Sequence, residues 1–341
     1  LPREILDQEI NHLLSIGIKV VTEVTVGENP TVADLRKDYD AVYIAIGAQT
    51  DRKIGIEGED AEGVISAVEL LRGIGDGNMP DFTGKDIVVI GGGNVAMDVA
   101  RSSIRLGAKR LRIAYRRRAV DMTAMAEEVS GAVEEGCELL DLHAPLRIEK
   151  DAEGKVAALW VKPQIIGPVK NGRPVPLDSA QEEVRLACDM VIVAVGQGIE
   201  SKAFEKNGIP VKRGVIEALN WSGVNTKELT GIFAGGDCVT GPATVIRAIA
   251  AGKVAAANID EFLGYKHTIS ADVEIPGIRL EDRKSCARVN MKERQPSERA
   301  KDFELIECGM TCEEAKQEAC RCLRCDHFGF GILKGGRVEK W

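Results

Sequence analysis

The residues Gly91-Gly92-Gly93-Asn94-Val95-Ala96 stand between an apolar run, Asp86–Ile90, and a helical pattern that continues to Leu106. Their spacing is G-x-G-x-x-A. Gly91 permits a tight turn off a strand, Gly93 lets the backbone approach a pyrophosphate, and Ala96 lets helix and strand pack closely. A helix beginning at Asn94 aims unpaired N–H groups at phosphate oxygens. The chemistry is therefore dinucleotide binding, in which a cofactor and not a side-chain nucleophile or acid/base pair does the reacting. The next strand, Lys109–Tyr115, runs into Arg116-Arg117-Arg118 with no carboxylate. An Asp or Glu there would hold a ribose 2′-hydroxyl, whereas guanidinium forks suit a 2′-phosphate. NADP(H) is thus expected in preference to NAD(H), with a solvated basic turn as the alternative.

A second glycine turn occurs in LTGIFAGGDCVTGPATVIRAIAAGKVAAA, residues 229–257. Asp237, after Gly235-Gly236, stands at a strand end, where it can accept a hydrogen bond from a sugar or ribitol hydroxyl. The N–H groups of Ala243, Thr244 and Val245 open a helix and would stabilise negative charge on a ring oxygen. A glycine turn followed by a core helix explains the same residues. The third cluster is Cys308-x3-Cys312-x7-Cys320-x-Cys322-x2-Cys325, with His327 two residues beyond. Cys322 and Cys325 share a face if helical. A metal on Cys320, Cys322 and Cys325, a zinc site that adds His327, and free thiols all remain open. A disulfide-reductase role for the C-x-x-C would need Cys322 and Cys325 to cycle beside a flavin. His12, His143 and His267 have no companion motif.

The 341 residues are enough for about two domains, each with its own core. With 44% hydrophobic and 29% charged residues, a disordered chain is excluded. No apolar run approaches the roughly 18 residues of a membrane span. A net charge of −8 excludes general nucleic-acid binding by charge. Nine cysteines, odd in number and clustered, do not form a secreted disulfide framework and point to the cytoplasm.

The patterning gives a helix over 3–16, with Ile5, Leu6, Ile10, Leu13 and Leu14 at helical spacing, and strands over 19–27 and 39–47. A short helix over 67–72 precedes the strand–helix–strand of 86–115, and a further helix covers 124–135. Residues 139–188 form an antiparallel meander. The strand 189–196 ends in Gly196 and echoes 40–47. A strand over 231–235 and a helix over 243–263 follow, then an appendage with a small helix over 311–325. Its basic arm, with Arg279, Arg283, Lys284, Arg288, Lys292, Arg294, Arg299 and Lys301, reads as a solvated linker, with docking of an acidic partner as the alternative. The fold class is α/β and Rossmann-like.

GGD…GPATVIRAIAAGKVAA resembles the C-terminal FAD motif of two-dinucleotide-domain flavoproteins. YIAIG and VIVAVG resemble the glycine-ended strands that lead into and out of their inserted NAD(P) domain, which adds Gly196 to the cofactor-binding set. RLGAKRLRIAYRRR…MTAMAEEV resembles the NADPH site of the small (beta) subunit of glutamate synthase and its relatives. The resemblance covers residues 1–265. It implies a partial FAD domain over 1–50, a connection over 51–84, an NAD(P)-binding domain with the meander over 85–195, the C-terminal part of the FAD domain over 196–264, and a tail over 265–341. It implies that Arg116 and Arg117 hold the 2′-phosphate and that Glu128 lies near the nicotinamide half. NADPH and FAD are the implied cofactors, with hydride transfer between them. EACRCLRC resembles the segment in which these relatives bind an iron–sulfur cluster. The implied partner is an electron-accepting iron–sulfur or amidotransferase-type subunit. Three departures stand out. Thr123 occupies a position where relatives usually have proline. His-Phe-Gly-Phe-Gly follows Cys325, leaving that ligand set incomplete. No G-x-G-x-x-G precedes residue 91, so the ADP half of the FAD site is expected on absent sequence or on another chain. A non-catalytic dinucleotide-binding piece with an empty FAD site is the alternative.

Overall fold

The computed structural model describes residues 3–170, 172–219, 223–224, 229–267 and 286–322. The described residues form two compact units, one of 48–198 with 286–322 and one of 3–47 with those described within 199–267.

The first unit is built on a five-stranded sheet in the order Val64–Ser66, Met190–Val193, Asp86–Ile90, Arg110–Ala114 and Glu138–Leu140. Every pairing in it is parallel. Asp86–Ile90 lies at its centre because it can be buried on both faces. Ile87 and Val89 pack with Met97, Ala100, Leu111 and Ile113 on one side. Val88 and Ile90 alternate to the other side, against Leu159, Val161 and Leu186. Those last residues belong to the antiparallel meander, in which Val156–Lys170 pairs with His143–Lys150, Val184–Ala187 and Arg173–Asp178. The helix Asn94–Arg105 crosses between the central strand and Arg110–Ala114, and so closes the strand–helix–strand unit the glycine spacing called for.

In the second unit Val42–Ile44 pairs parallel with Ile232–Ala234, and Gly223–Val224 and Ala218–Leu219 extend the sheet antiparallel. Val32, Ile44, Phe204, Ile209, Ile216, Ile232, Ala234 and Cys238 form its core. The helix Val32–Asp38 was not anticipated from the patterning. Its signal was a capping box, in which Thr31 Oγ1 accepts from Asp34 N–H and the Asp34 carboxylate accepts from Thr31 N–H.

One expected strand does not form. The β-branched stretch 19–27 forms no strand; it carries only an isolated bridge between Thr25 and Asn29, and Val20, Val21 and Val24 are exposed. Propensity alone does not make a strand without a neighbouring ladder. The helix Arg3–Ser15 forms, but none of its residues is buried, so its apolar stripe has no partner among the described residues. The basic arm also departs from a solvated linker. Arg279, Arg283 and Lys284 lie outside the described residues, but Arg299 is only 2% exposed. Its guanidinium reaches Glu134 at 2.6 Å and Glu135 at 3.0 Å.

Candidate functional site

The three glycines at the end of Asp86–Ile90 have different reasons for lacking a side chain. A Cβ on Gly91 would lie 2.3 Å from the Ala194 carbonyl oxygen, and one on Gly92 would lie 2.5 Å from the Tyr115 ring. Packing within the chain requires both. A Cβ on Gly93 would meet only Thr123 Oγ1, at an ordinary 3.5 Å, and its φ of −101° suits any residue. Nothing inside the protein requires glycine there. The space a Cβ would take is open at the N-terminus of Asn94–Arg105, where no side chain caps the helix and no acidic residue stands in the first turn. A pyrophosphate fits that cradle, since the helix presents positive charge and unshielded donors. Val95 is half-buried and Ala96 is fully buried against the sheet.

Asn94 has a structural duty. Its Oδ1 accepts the Met125 N–H at 2.9 Å. The Thr123 and Ala124 N–H groups donate to the Gly92 carbonyl at 3.0 and 3.1 Å. The 123–125 segment is therefore latched onto the glycine loop. Thr123 replaces the proline of the resembling family with a bond that proline, lacking an N–H, cannot make.

The three arginines after Arg110–Ala114 are not equivalent. Arg118 is paired with Asp121 by two hydrogen bonds, at 2.8 and 3.0 Å. Arg117 is tethered through Nε to the Pro174 carbonyl at 3.0 Å, and Arg116 is exposed. Among the described residues, no carboxylate lies within ion-pair distance of Arg116 or Arg117. Both cations remain available to an anion, and Arg118 does not.

Glu128 lies in the first turn of Ala126–Glu134 and accepts from Arg101 at 2.5 Å. Arg101 also donates to Glu135 through Nε at 3.1 Å and through Nη2 at 2.6 Å. Burial works against the charge of Arg101. The hydrogen bonds and charge of Glu135, then Glu128, outweigh it and push the Arg101 pKa up. Arg101 gave no signal in the sequence beyond being a charged residue on the buried face of a helix.

In the other unit, Gly235 is required by packing, since a Cβ would lie 2.4 Å from Tyr43 Oη. Gly236 has φ +74° and open space where a Cβ would stand. Asp237 Oδ1 accepts the Ala243 N–H at 3.2 Å. That differs from the expectation that Ala243, Thr244 and Val245 all face a ligand: the Ala243 donor is engaged, and Thr244 and Val245 remain. Thr244 caps Val245–Phe262 without a side-chain bond, and Val245 is 75% exposed. The open helix start and the second oxygen of Asp237 fit one end of a flavin nucleotide. Gly196 stands in the nucleotide unit with φ +130°, just past Met190–Val193. Cys238 is buried, its thiol donates to the Gly235 and Ile44 carbonyls, and burial raises its pKa.

Of the cysteines expected to hold a metal, Cys320 and Cys322 are described and Cys325 is not. Among the described residues, no three His, Cys, Asp or Glu side chains converge on a metal position. Cys312 and Cys320 lie near opposite ends of Cys312–Arg321, separated by about 12 Å of helix rise, too far to share one ion. Cys322 is exposed just past the helix, and Cys325 and His327 lie outside the described residues.

The family described as pyridine nucleotide-disulphide oxidoreductase matches residues 5–252. The chain is 34% identical over 350 residues to the NADP(+)-dependent formate dehydrogenase subunit beta of Moorella thermoacetica, covering 98% of this chain and 49% of that protein. It is 33% identical to the glutamate synthase [NADPH] small chain of Escherichia coli, covering 77% of this chain and 59% of the relative. The chain thus spans about half the length of these curated relatives. Its fold is similar to that of Mycobacterium tuberculosis FprA in complex with NADPH, with TM-score 0.59 at 22% identity over 71% of this chain and 67% of that one.

Proposed function

The chain belongs to the pyridine nucleotide-disulphide oxidoreductase family, and from that premise we propose that it is an NADPH-dependent FAD oxidoreductase module of the glutamate synthase small-subunit type. One observation carries the reading. The cradle opened by Gly93 is followed, one strand later, by two guanidinium groups that have no carboxylate partner among the described residues. A pyrophosphate rests on the N-terminus of Asn94–Arg105, and a ribose 2′-phosphate rests on Arg116 and Arg117. Arg101 orients Glu128 toward the nicotinamide half. Gly196 belongs to the strand end beside the cofactor. Asp237, with the Thr244 and Val245 N–H groups, holds the flavin nucleotide at the other site. When bound, NADPH supplies a hydride to FAD, and the electrons can then leave one at a time.

The Moorella and E. coli relatives are named as a subunit and as a small chain, the first NADP(+)-dependent and the second with NADPH in its name. That supports a partner: an electron-accepting iron–sulfur or amidotransferase-type subunit. A further segment or chain completes the FAD site. The module works in the cytoplasm, consistent with the free thiols of Cys137, Cys188, Cys238, Cys286, Cys308 and Cys312. No helix among the described residues is long and apolar enough to cross a membrane.

The test is the visible spectrum of the purified chain after loading with FAD, recorded anaerobically before and after NADPH. Flavin bands that bleach with NADPH are the expected result. Bound flavin whose bands NADPH leaves unchanged overturns the reading in favour of a dinucleotide-binding piece without flavin chemistry.

A further inference from the structure

The meander does more than cover one face of the parallel sheet. Its hairpin of Val156–Lys170 and Arg173–Asp178 brings Arg173 back over the segment that follows Arg110–Ala114. Arg173 Nη2 donates to Tyr115 Oη at 3.0 Å. It also donates to the Asp121 carbonyl, the acceptor that Tyr115 Oη engages at 2.9 Å. Tyr115 is the residue whose ring lies against Gly92. The Pro174 carbonyl, next along the hairpin, accepts from Arg117 Nε at 3.0 Å. Two consecutive hairpin residues thus grip the arginine segment, one through a guanidinium and one through a backbone oxygen.

Charge decides what this arrangement does. The Asp121 carboxylate is taken by both prongs of Arg118. Among the described residues, Arg173 has no carboxylate within ion-pair distance, as is true of Arg116 and Arg117. Arg173 is half-buried. Asp121, already bound by Arg118, attracts Arg173 only from beyond ion-pair distance, so a half-buried cation held against a phenol and a carbonyl gains from an anion that joins it.

We propose that Arg173 is a third guanidinium of the 2′-phosphate pocket, supplied by the meander hairpin, and that it sets the preference for a nucleoside 2′-phosphate. The inference rests on the proposed nucleotide site at Gly93, Arg116 and Arg117. Arg117 is aimed by Pro174 and Arg173 by Tyr115, and Arg116, on the same segment, is exposed. A charge-assisted hydrogen bond to phosphate accounts for about a ten- to hundredfold change in affinity.

The experiment titrates the purified chain by calorimetry with two probes, adenosine 2′,5′-bisphosphate and 5′-AMP, which differ only in the 2′-phosphate. Arg173→Ala and Arg173→Gln should weaken the bisphosphate about ten- to hundredfold and change 5′-AMP by less than about twofold, with Arg173→Lys in between. The Gln variant retains a donor toward Tyr115 and Asp121, so it separates lost charge from a loosened loop. If Arg173→Ala and Arg173→Gln bind the bisphosphate as the parent does, while Arg116→Ala/Arg117→Ala loses it, the Arg173 proposal is wrong and the nucleotide reading stands. If the Arg173 variants weaken both probes equally, Arg173 only supports the loop and the proposal is again wrong. If Arg116→Ala/Arg117→Ala also leaves the bisphosphate unaffected, the nucleotide reading fails and Arg173 falls with it.

Discussion

Arg299 Nε lies 3.0 Å from Glu135 Oε1, and both side chains are almost wholly shielded from solvent. Glu135 is shared. Arg101 Nη2 approaches it at 2.6 Å and Arg105 Nη2 at 2.9 Å. Through Arg101 the same cluster continues to Glu128. The segment that bears the exposed cysteines is thus docked by one buried arginine onto the helix pair behind the nucleotide loop.

Removing one member of a buried ion cluster leaves its partners desolvated and undercompensated. Arg299→Ala should destabilise the chain by about 1–3 kcal/mol, because Glu134 and Glu293 lose their guanidinium partner while Glu135 keeps Arg101 and Arg105. Thermal unfolding gives the total. Hydrogen exchange locates the loss, with amides of 293–307 exchanging much faster while those of Asp86–Ile90 keep their protection. Unchanged exchange in 293–307 would contradict the docking role.

The glycine loop offers a separation of fold from function. Gly91→Ala places a methyl against the Ala194 carbonyl oxygen, with a Cβ contact of 2.3 Å, and should cost at least about 1–3 kcal/mol of stability. Gly93→Ala meets nothing closer than 3.5 Å. It should leave the unfolding midpoint unaltered while weakening NADP+ binding at least about tenfold, since the methyl occupies the pyrophosphate's approach. A Gly93→Ala protein that binds NADP+ normally would remove the cradle from the account.

How much of this was legible in the sequence follows from range. The loop and its flanking strands were readable because glycine spacing, strand and helix are all local. Spacing alone did not separate Arg116, Arg117 and Arg118, which only the family resemblance did, because Asp121 and Pro174 decide which guanidinium is already engaged. Arg173 and Arg299 were invisible as partners for the same reason. The stretch 19–27 misled in the opposite direction: its residue types favour a strand, but a strand requires a neighbour that composition does not supply.

Thiol reactivity should divide by burial. Burial pushes Cys137 up to about 12 and Cys188 to about 11, so neither forms thiolate at mildly alkaline pH. Iodoacetamide followed by peptide mass spectrometry should label Cys286, Cys308 and Cys312, which are exposed, and spare Cys137 and Cys188 until denaturant is added. Early labelling of Cys137 would show that the helix Ala126–Glu134 does not cover it.

The arm carrying Arg299 also has an acid-sensitive clasp. Asp302 accepts from both terminal nitrogens of Arg294 at 2.7 Å, which lowers its pKa from 3.8 to about 2. A carboxylate depressed by folding contributes stability above its unfolded value, and the contribution is lost as pH falls through the folded one. The difference in unfolding midpoint between the parent and Asp302→Asn should therefore be full above about pH 4 and close toward pH 2. A gap that is constant across that range would mean the clasp does not form.

The most direct test of the central claim is the affinity of the purified chain for NADP+ and NAD+, measured by calorimetry with and without Arg116→Ala/Arg117→Ala. The two ligands differ only in the 2′-phosphate. NADP+ should bind at least about tenfold more tightly than NAD+, and the double substitution should cut that difference several-fold while leaving NAD+ unaffected. Equal affinities in the parent, or a preference undiminished by the loss of both arginines, would contradict an NADPH site at this loop.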